Sequence, residues 1–320
     1  MAYVAGDKIK ATEYNTFVNN SSSPFGYNHF AGTGSGEYGL GQTAIATVSG
    51  GDGTSITASQ WNTLLTGMDN IANHTNDTLT ARTQVSTGDT IAIKAAVAAD
   101  LATLAASVAA GSPNATALGT NAVGSSTNAA TWNSTSTIER SVTFADANTM
   151  RYFFNAGGKI RVDPSCITGI NGNKDTVFDD LTTTAIGNLD IGQTASTRSG
   201  SGETLTTNGL ALGFRDLTTS YQTILKLTSD NSGYTSNTVE ISAKLDAAVD
   251  SCVTITIKMV STDPAADTTY TSPNTSGVPA NPNEAPRMTL ALIEVHPTNA
   301  QGLASNIQSS SNAEVSNSAS

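Results

Sequence analysis

The chain has 320 residues, enough for two or three domains, yet only 13% are charged, about half the usual share, and 6% are aromatic. Its 26 acidic residues against 15 basic ones give a formal charge of −11 with no basic run, which argues against nucleic acid or an anionic membrane as partner. No stretch reaches the ~18 consecutive apolar residues of a membrane helix, so no membrane insertion is expected. The opening MAYVAGDKIK lacks the basic-then-apolar pattern of a signal peptide, so folding in a cytoplasm is expected.

Residues 1–80 contain one phrase twice, at an offset of 47 residues. Gly6, Ile9, Ala11, Asn15 and Thr16 recur as Gly53, Ile56, Ala58, Asn62 and Thr63, with Tyr14 replaced by Trp61 and Phe17-Val18 by Leu64-Leu65. Thr57 as N-cap with Gln60 at N3 makes a capping box, and Ile56 is placed to staple onto Trp61. In the first copy Ile9, Tyr14 and Glu13 keep these roles while Lys10 takes the cap position. Each copy therefore predicts the entrance to a short amphipathic helix. In the second, Trp61, Leu64, Leu65, Met68, Ile71 and Ala72 form one apolar face; in the first, Tyr14, Phe17 and Val18 form a shorter one that breaks at Ser21-Ser22-Ser23-Pro24. This repeat is expected to serve attachment or assembly.

Residues 81–137 predict an Ala-rich helix from about Thr90 to Ala109 and then an extended connector. Val97, Leu101, Leu104 and Val108 have the spacing of a coiled-coil seam over less than two heptads, which suits either a helix packed on its own subunit or one in an intersubunit bundle. From Gly111 to Thr137 the chain is Gly-, Ser-, Asn- and Thr-rich with only Trp132 as a large anchor, and a domain boundary is placed there.

Residues 138–297 predict an antiparallel β-sandwich of seven or eight strands. Alternation marks Val142/Phe144, Met150/Tyr152/Phe154, Ile160/Val162, Val239–Leu245 and Val253–Met259, with a hairpin turn at Asn155–Gly158; further strands are expected at Leu210–Phe214, Tyr221–Leu227 and Met288–Val295. Residues 298–320 are small and polar and cannot bury enough surface to fold alone, so if they are ordered, a partner orders them. The expected class is α+β: helical repeat module, Ala-rich helix and connector, β-sandwich, polar tail.

Apparent chemistry does not assemble into a site. Gly34-Ser35-Gly36-Glu37-Tyr38-Gly39 matches a dinucleotide-binding pattern in letters, but no strand precedes it and no helix follows; a Gly-rich loop with Tyr27, Phe30 and Tyr38 as packing anchors is expected. Asn171, Asn173 and Asp175 with Asp179 and Asp180 suggest oxygen ligands for calcium, but positions 176 and 182 are Thr where an EF-hand needs Gly and Glu; a looser cation site or a polar loop both fit. The three histidines have no metal-ligand spacing, no nucleophile elbow occurs, and Cys166 and Cys252 read as buried free thiols. No cofactor, metal or catalytic residue is expected.

The opening phrase Gly6-Asp7-Lys8-Ile9-Lys10-Ala11 with Tyr14-Asn15 resembles the start of structural proteins of tailed bacteriophages, particularly marine and cyanobacterial ones. Ile56-Thr57-Ala58-Ser59-Gln60-Trp61-Asn62, followed by Asn70-Ile71-Ala72-Asn73-His74, is similar to their second element. Arg151-Tyr152-Phe153-Phe154-Asn155-Ala156-Gly157-Gly158-Lys159-Ile160 resembles the hairpin phrase of their β domain. The resemblance implies a non-enzymatic virion component of tail, neck or fibre, made in the host cytoplasm, assembling as a homotrimer with other virion structural proteins. From the apolar faces of the helices, the expected assembly or packing anchors are Ile9, Tyr14, Phe17, Ile56, Trp61, Leu64, Leu65, Met68, Val97, Leu101, Leu104 and Val108. Two alternatives are a receptor-binding protein whose sandwich loops contact host surface glycan, with Tyr234 and Tyr270 as platforms, and a polysaccharide depolymerase using paired carboxylates.

Overall fold

The computed structural model describes residues 10–51, 53–89, 94–169, 173–264 and 285–320. The class is α+β. The chain divides into two units that are not linear in sequence: the first joins residues 1–119, 151–158 and 296–308, the second joins 120–150, 159–295 and 309–320.

The first unit is built on three helices, α1 (Ala11–Asn19), α2 (Ala58–Thr75) and α3 (Lys94–Ala109). The capping box that opens α2 is made: the Gln60 N–H donates to Thr57 Oγ1 at 3.2 Å and the Thr57 N–H to Gln60 Oε1 at 2.9 Å. At α1 Lys10 makes no side-chain cap, since an ammonium carries no acceptor atom, and the reciprocal half remains, with the Lys10 N–H reaching Glu13 Oε2 at 3.4 Å. The two entrances meet: Lys10 and Ser55 form an antiparallel bridge, the Tyr14 hydroxyl donates to Gln60 O at 3.2 Å, and Phe17 packs edge-on against Trp61 with centroids 6.2 Å apart. The apolar seam of α3 is buried within this unit, and Asp100 on α3 accepts from Thr80 and pairs with Arg82.

The second unit holds two antiparallel sheets. One has the order β1 (Leu118–Thr127), β10 (Met288–Pro297), β3 (Lys159–Cys166), β4 (Leu189–Ile191), β5 (Ser196–Arg198). The other has the order β11 (Ser311–Ala319), β2 (Thr135–Thr143), β9 (Thr254–Thr262), β8 (Thr238–Leu245), β7 (Gln222–Thr228), β6 (Thr204–Asn208). Alternate residues such as Ile138, Val142, Ile241, Ile255, Ile257, Ile160 and Val162 are fully buried, as strand periodicity demands. Asn128, itself fully buried, ties strands of both sheets: its Oδ1 accepts from Ser136 Oγ at 2.6 Å and from the Met288 N–H at 3.2 Å, and its Nδ2 donates to Asn317 Oδ1 at 2.9 Å.

The structure departs from the sequence expectations at several places. Met150, Tyr152 and Phe154 are not a strand but belong to α4 (Ala147–Asn155), where Asp146 Oδ1 takes the Thr149 N–H at 2.7 Å as a helix cap and Met150, Phe153 and Phe154 bury one face. The phrase from Arg151 to Gly158 is therefore a helix end, not a hairpin, and its residues fall in the first unit. The connector contains an edge strand, β1, and Trp132 after it is 2% exposed, donating through Nε1 to Pro286 O at 2.6 Å and packing edge-on against Phe178. Leu210–Phe214 is turn and 3₁₀ structure, while the neighbouring strand is Thr204–Asn208. Within the polar tail, residues 311–319 are ordered by the chain's own β2, against which β11 pairs.

Asn173–Asp179 is a helix (α5) that continues as a π-helical turn to Ile186, so residues 173–186 are not an open loop. Asp175 is buried, Asp179 accepts from Thr183 Oγ1, and Asp180 takes a hydrogen bond from Asn231; Asn171 lies outside the described residues.

Candidate functional site: the repeated helix and its asparagine clamps

The identical residues of the repeat have a common structural task. Asn15 Nδ2 donates to Val48 O at 2.9 Å while the Val48 N–H donates to Asn15 Oδ1 at 2.7 Å. At the equivalent position of the second copy, Asn62 Nδ2 donates to Val85 O at 2.9 Å and the Val85 N–H to Asn62 Oδ1 at 2.9 Å. Asn28, in a π-helical turn (Asn28–Thr33), repeats the pattern on Ile45 at 2.9 and 2.8 Å. A carboxamide has one donor side and one acceptor side, so it pairs with an extended residue as another strand would. Three short stretches of irregular chain are thereby fastened to helical surfaces. Thr16 and Thr63 also match, each bonding back to the carbonyl four residues earlier.

This part of the repeat is missed by periodicity because the partners lie 33 and 23 residues downstream. A signal was present: Val48-Ser49 and Val85-Ser86 are the same dipeptide at both clamps.

The expected anchors are core residues of the first unit. Tyr14, Leu64, Met68 and Leu104 are fully buried, and Phe17, Trp61, Leu65, Val97, Leu101 and Val108 are nearly so, while Ile56 is half-buried. Ile9 lies outside the described residues. Such side chains stabilise the unit itself, at roughly 1.5–3 kcal/mol each.

The Gly-rich loop is pinned from α4. Arg151 donates to Tyr38 O and to Thr33 O, and Asn155 Nδ2 to the carbonyls of Gly36, Tyr38 and Gly39. Tyr27 and Phe30 are buried anchors, but Tyr38 is half-exposed and joins Phe25 and His29 in a surface aromatic cluster. Phe25 stacks on His29 at 4.3 Å and lies 4.7 Å from Tyr38, and His29 is 4.9 Å from Tyr38. Burial lowers the His29 pKa against the opposing pull of Glu37, and raises that of Tyr38. Of the platforms expected on the β domain, Tyr234 is half-buried in the β7–β8 turn and Tyr270 lies outside the described residues.

Among the described residues no group of three His, Cys, Asp or Glu side chains converges as a metal site, and no helix is long and apolar enough to cross a membrane. Cys166 and Cys252 are free thiols whose pKa burial pushes up to about 12, so both stay protonated at neutral pH. The most buried histidine, His74, contacts Ala156 O through Nε2 at 3.0 Å, and burial lowers its pKa. These titratable groups are used for packing. No family model, no curated protein and no solved structure matches the chain.

Proposed function

We propose that this chain is a non-enzymatic structural component of a tailed-phage virion, in tail, neck or fibre, that assembles as a homotrimer. The observation that carries the reading is the duplicated helix-and-clamp module, whose repeated residues are spent on caps, ring packing and backbone fastening rather than on acid–base or metal chemistry. Support also comes from the phage-like phrases at residues 6–15, 56–74 and 151–160, and from a surface poor in charge, where polar contacts between subunits avoid burying unpaired ions. An antibody against the purified chain, applied to gradient-purified particles of the phage that encodes it, is expected to label a fixed position on every particle. Particles free of the chain would overturn the reading.

A second reading, adhesion to a host glycan, is favoured by one feature: the half-exposed cluster of Phe25, His29 and Tyr38 beside Glu37, since ring faces with a nearby carboxylate suit a sugar's C–H face and hydroxyls. Host-cell binding by the full chain that is lost in Phe25→Ala/Tyr38→Ala would support it, and unchanged binding would count against it.

A further inference from the structure

The outer face of α2 forms the floor of an open groove of about 860 Å³ within the first unit. One wall is the extended segment around Thr43, Ala44 and Ile45, the other is Ser86 and Thr87, and Ser59, Thr63, Thr66 and Asn70 rise from the helix between them. No lining residue is charged. Gly67 sits at the floor because a Cβ there would meet the Tyr27 ring at 3.0 Å and Ile45 Cδ1 at 3.3 Å.

Two observations point to what fits. The backbone N–H and C=O groups of Thr43 and Ala44 on one wall hydrogen-bond to no other described residue, so that wall presents open backbone donors and acceptors. Asn70 is exposed, and its carboxamide has no hydrogen-bond partner, whereas Asn15, Asn28 and Asn62 in the same unit each grip an extended backbone. Asn70 lies eight residues beyond Asn62, about two helical turns along α2 and rotated by about 80° from it, and both residues line the groove.

We propose that the groove takes an extended, uncharged, small-residue polypeptide segment of a partner chain, with Asn70 as a fourth clamp and the open backbone of Thr43 and Ala44 pairing with its own. The uncharged lining disfavours acidic or basic segments, because each would leave an ion without a counter-charge. Strand addition supplies the affinity through main-chain hydrogen bonds, and the clamp sets the register. The inference rests on reading the repeat as an assembly module, but it is tested on the isolated chain and needs no particle.

The probe is a labelled, end-capped peptide with the sequence of residues 43–50, Thr-Ala-Ile-Ala-Thr-Val-Ser-Gly, which contains two residues the clamps already hold. Fluorescence anisotropy against the full chain should give saturable binding below about 1 mM, weakened at least tenfold by Asn70→Leu and by Thr66→Arg. Both positions are exposed, and circular dichroism should show the fold of both variants unchanged. Absence of binding to the unmutated chain, or binding that both variants leave intact, would overturn the proposal. Binding of a neutral gluco-oligosaccharide that the same variants abolish, with no peptide binding, would overturn it in favour of a saccharide site. Particle labelling tests the virion reading separately, so the two can fail independently.

Discussion

Asn15 and Asn62 stand 47 residues apart and make the same pair of hydrogen bonds, to Val48 and to Val85. The repeat is therefore a repeat of a fastening as well as of a helix start. Loops that would otherwise wander over the helices are fixed by a side chain that imitates a strand.

Removing one clamp has a bounded cost. Asn62→Ala forfeits two neutral hydrogen bonds at a partly exposed site, about 1–2 kcal/mol in all, read as a lower midpoint in urea denaturation. Amide exchange around Val85 should accelerate far more than that around Val48. Equal protection at both sites would contradict the clamp.

Trp61→Ala is expected to cost about 3–5 kcal/mol, since Trp61 is 2% exposed and supports Phe17. Thermal unfolding of the purified chain measures this. The consequence for assembly experiments is direct: failure of Trp61→Ala/Leu65→Ala to enter particles reports loss of the first unit's core, so interface tests belong on exposed positions such as Thr66.

His74 makes stability pH-dependent. Burial lowers its folded pKa below the ~6.5 of the unfolded chain. Above ~6.5 both states are neutral at this site and nothing changes. As pH falls below that value the unfolded chain takes up a proton that the folded chain does not, so stability is lost until pH reaches the folded pKa. His74→Gln should remove this part of the slope in melting temperature measured from neutral pH downward. An unaltered slope would show that another group carries it.

In the second unit Lys174 Nζ lies 2.7 Å from Asp263 Oδ2, with both side chains almost wholly buried. Lys174→Met alone leaves a buried carboxylate without this cation and should cost about 3–5 kcal/mol, whereas Lys174→Met/Asp263→Leu should recover much of that loss. A double-mutant cycle by chemical denaturation gives the comparison; a double-mutant loss equal to the sum of the Lys174→Met and Asp263→Leu losses would mean the pair is not coupled.

What the sequence disclosed depended on how local the cause was. Thr57 and Gln60 are three residues apart and their box was readable; so were β3, β8, β9 and β10, whose apolar residues alternate. The strands β1, β6 and β11 were not, because Gly, Ser, Thr and Asn carry no apolar alternation and form strands by backbone pairing with a neighbour far along the chain. Tyr152-Phe153-Phe154 misled because aromatic residues favour strands, although Asp146 was available as a helix cap. The identity of Asn15 with Asn62 was visible, but its purpose needed the partner backbones. The surface cluster of Phe25, His29 and Tyr38 was only one-third anticipated, through Tyr38, since the Gly-rich loop brings that ring back onto the Phe25–His29 stack.

The self-association at the centre of the proposed function is tested most directly by multi-angle light scattering of the purified full chain during size-exclusion chromatography. A stable species of three times the 32.7 kDa chain mass is expected. A single monomeric species across the accessible concentration range would contradict it.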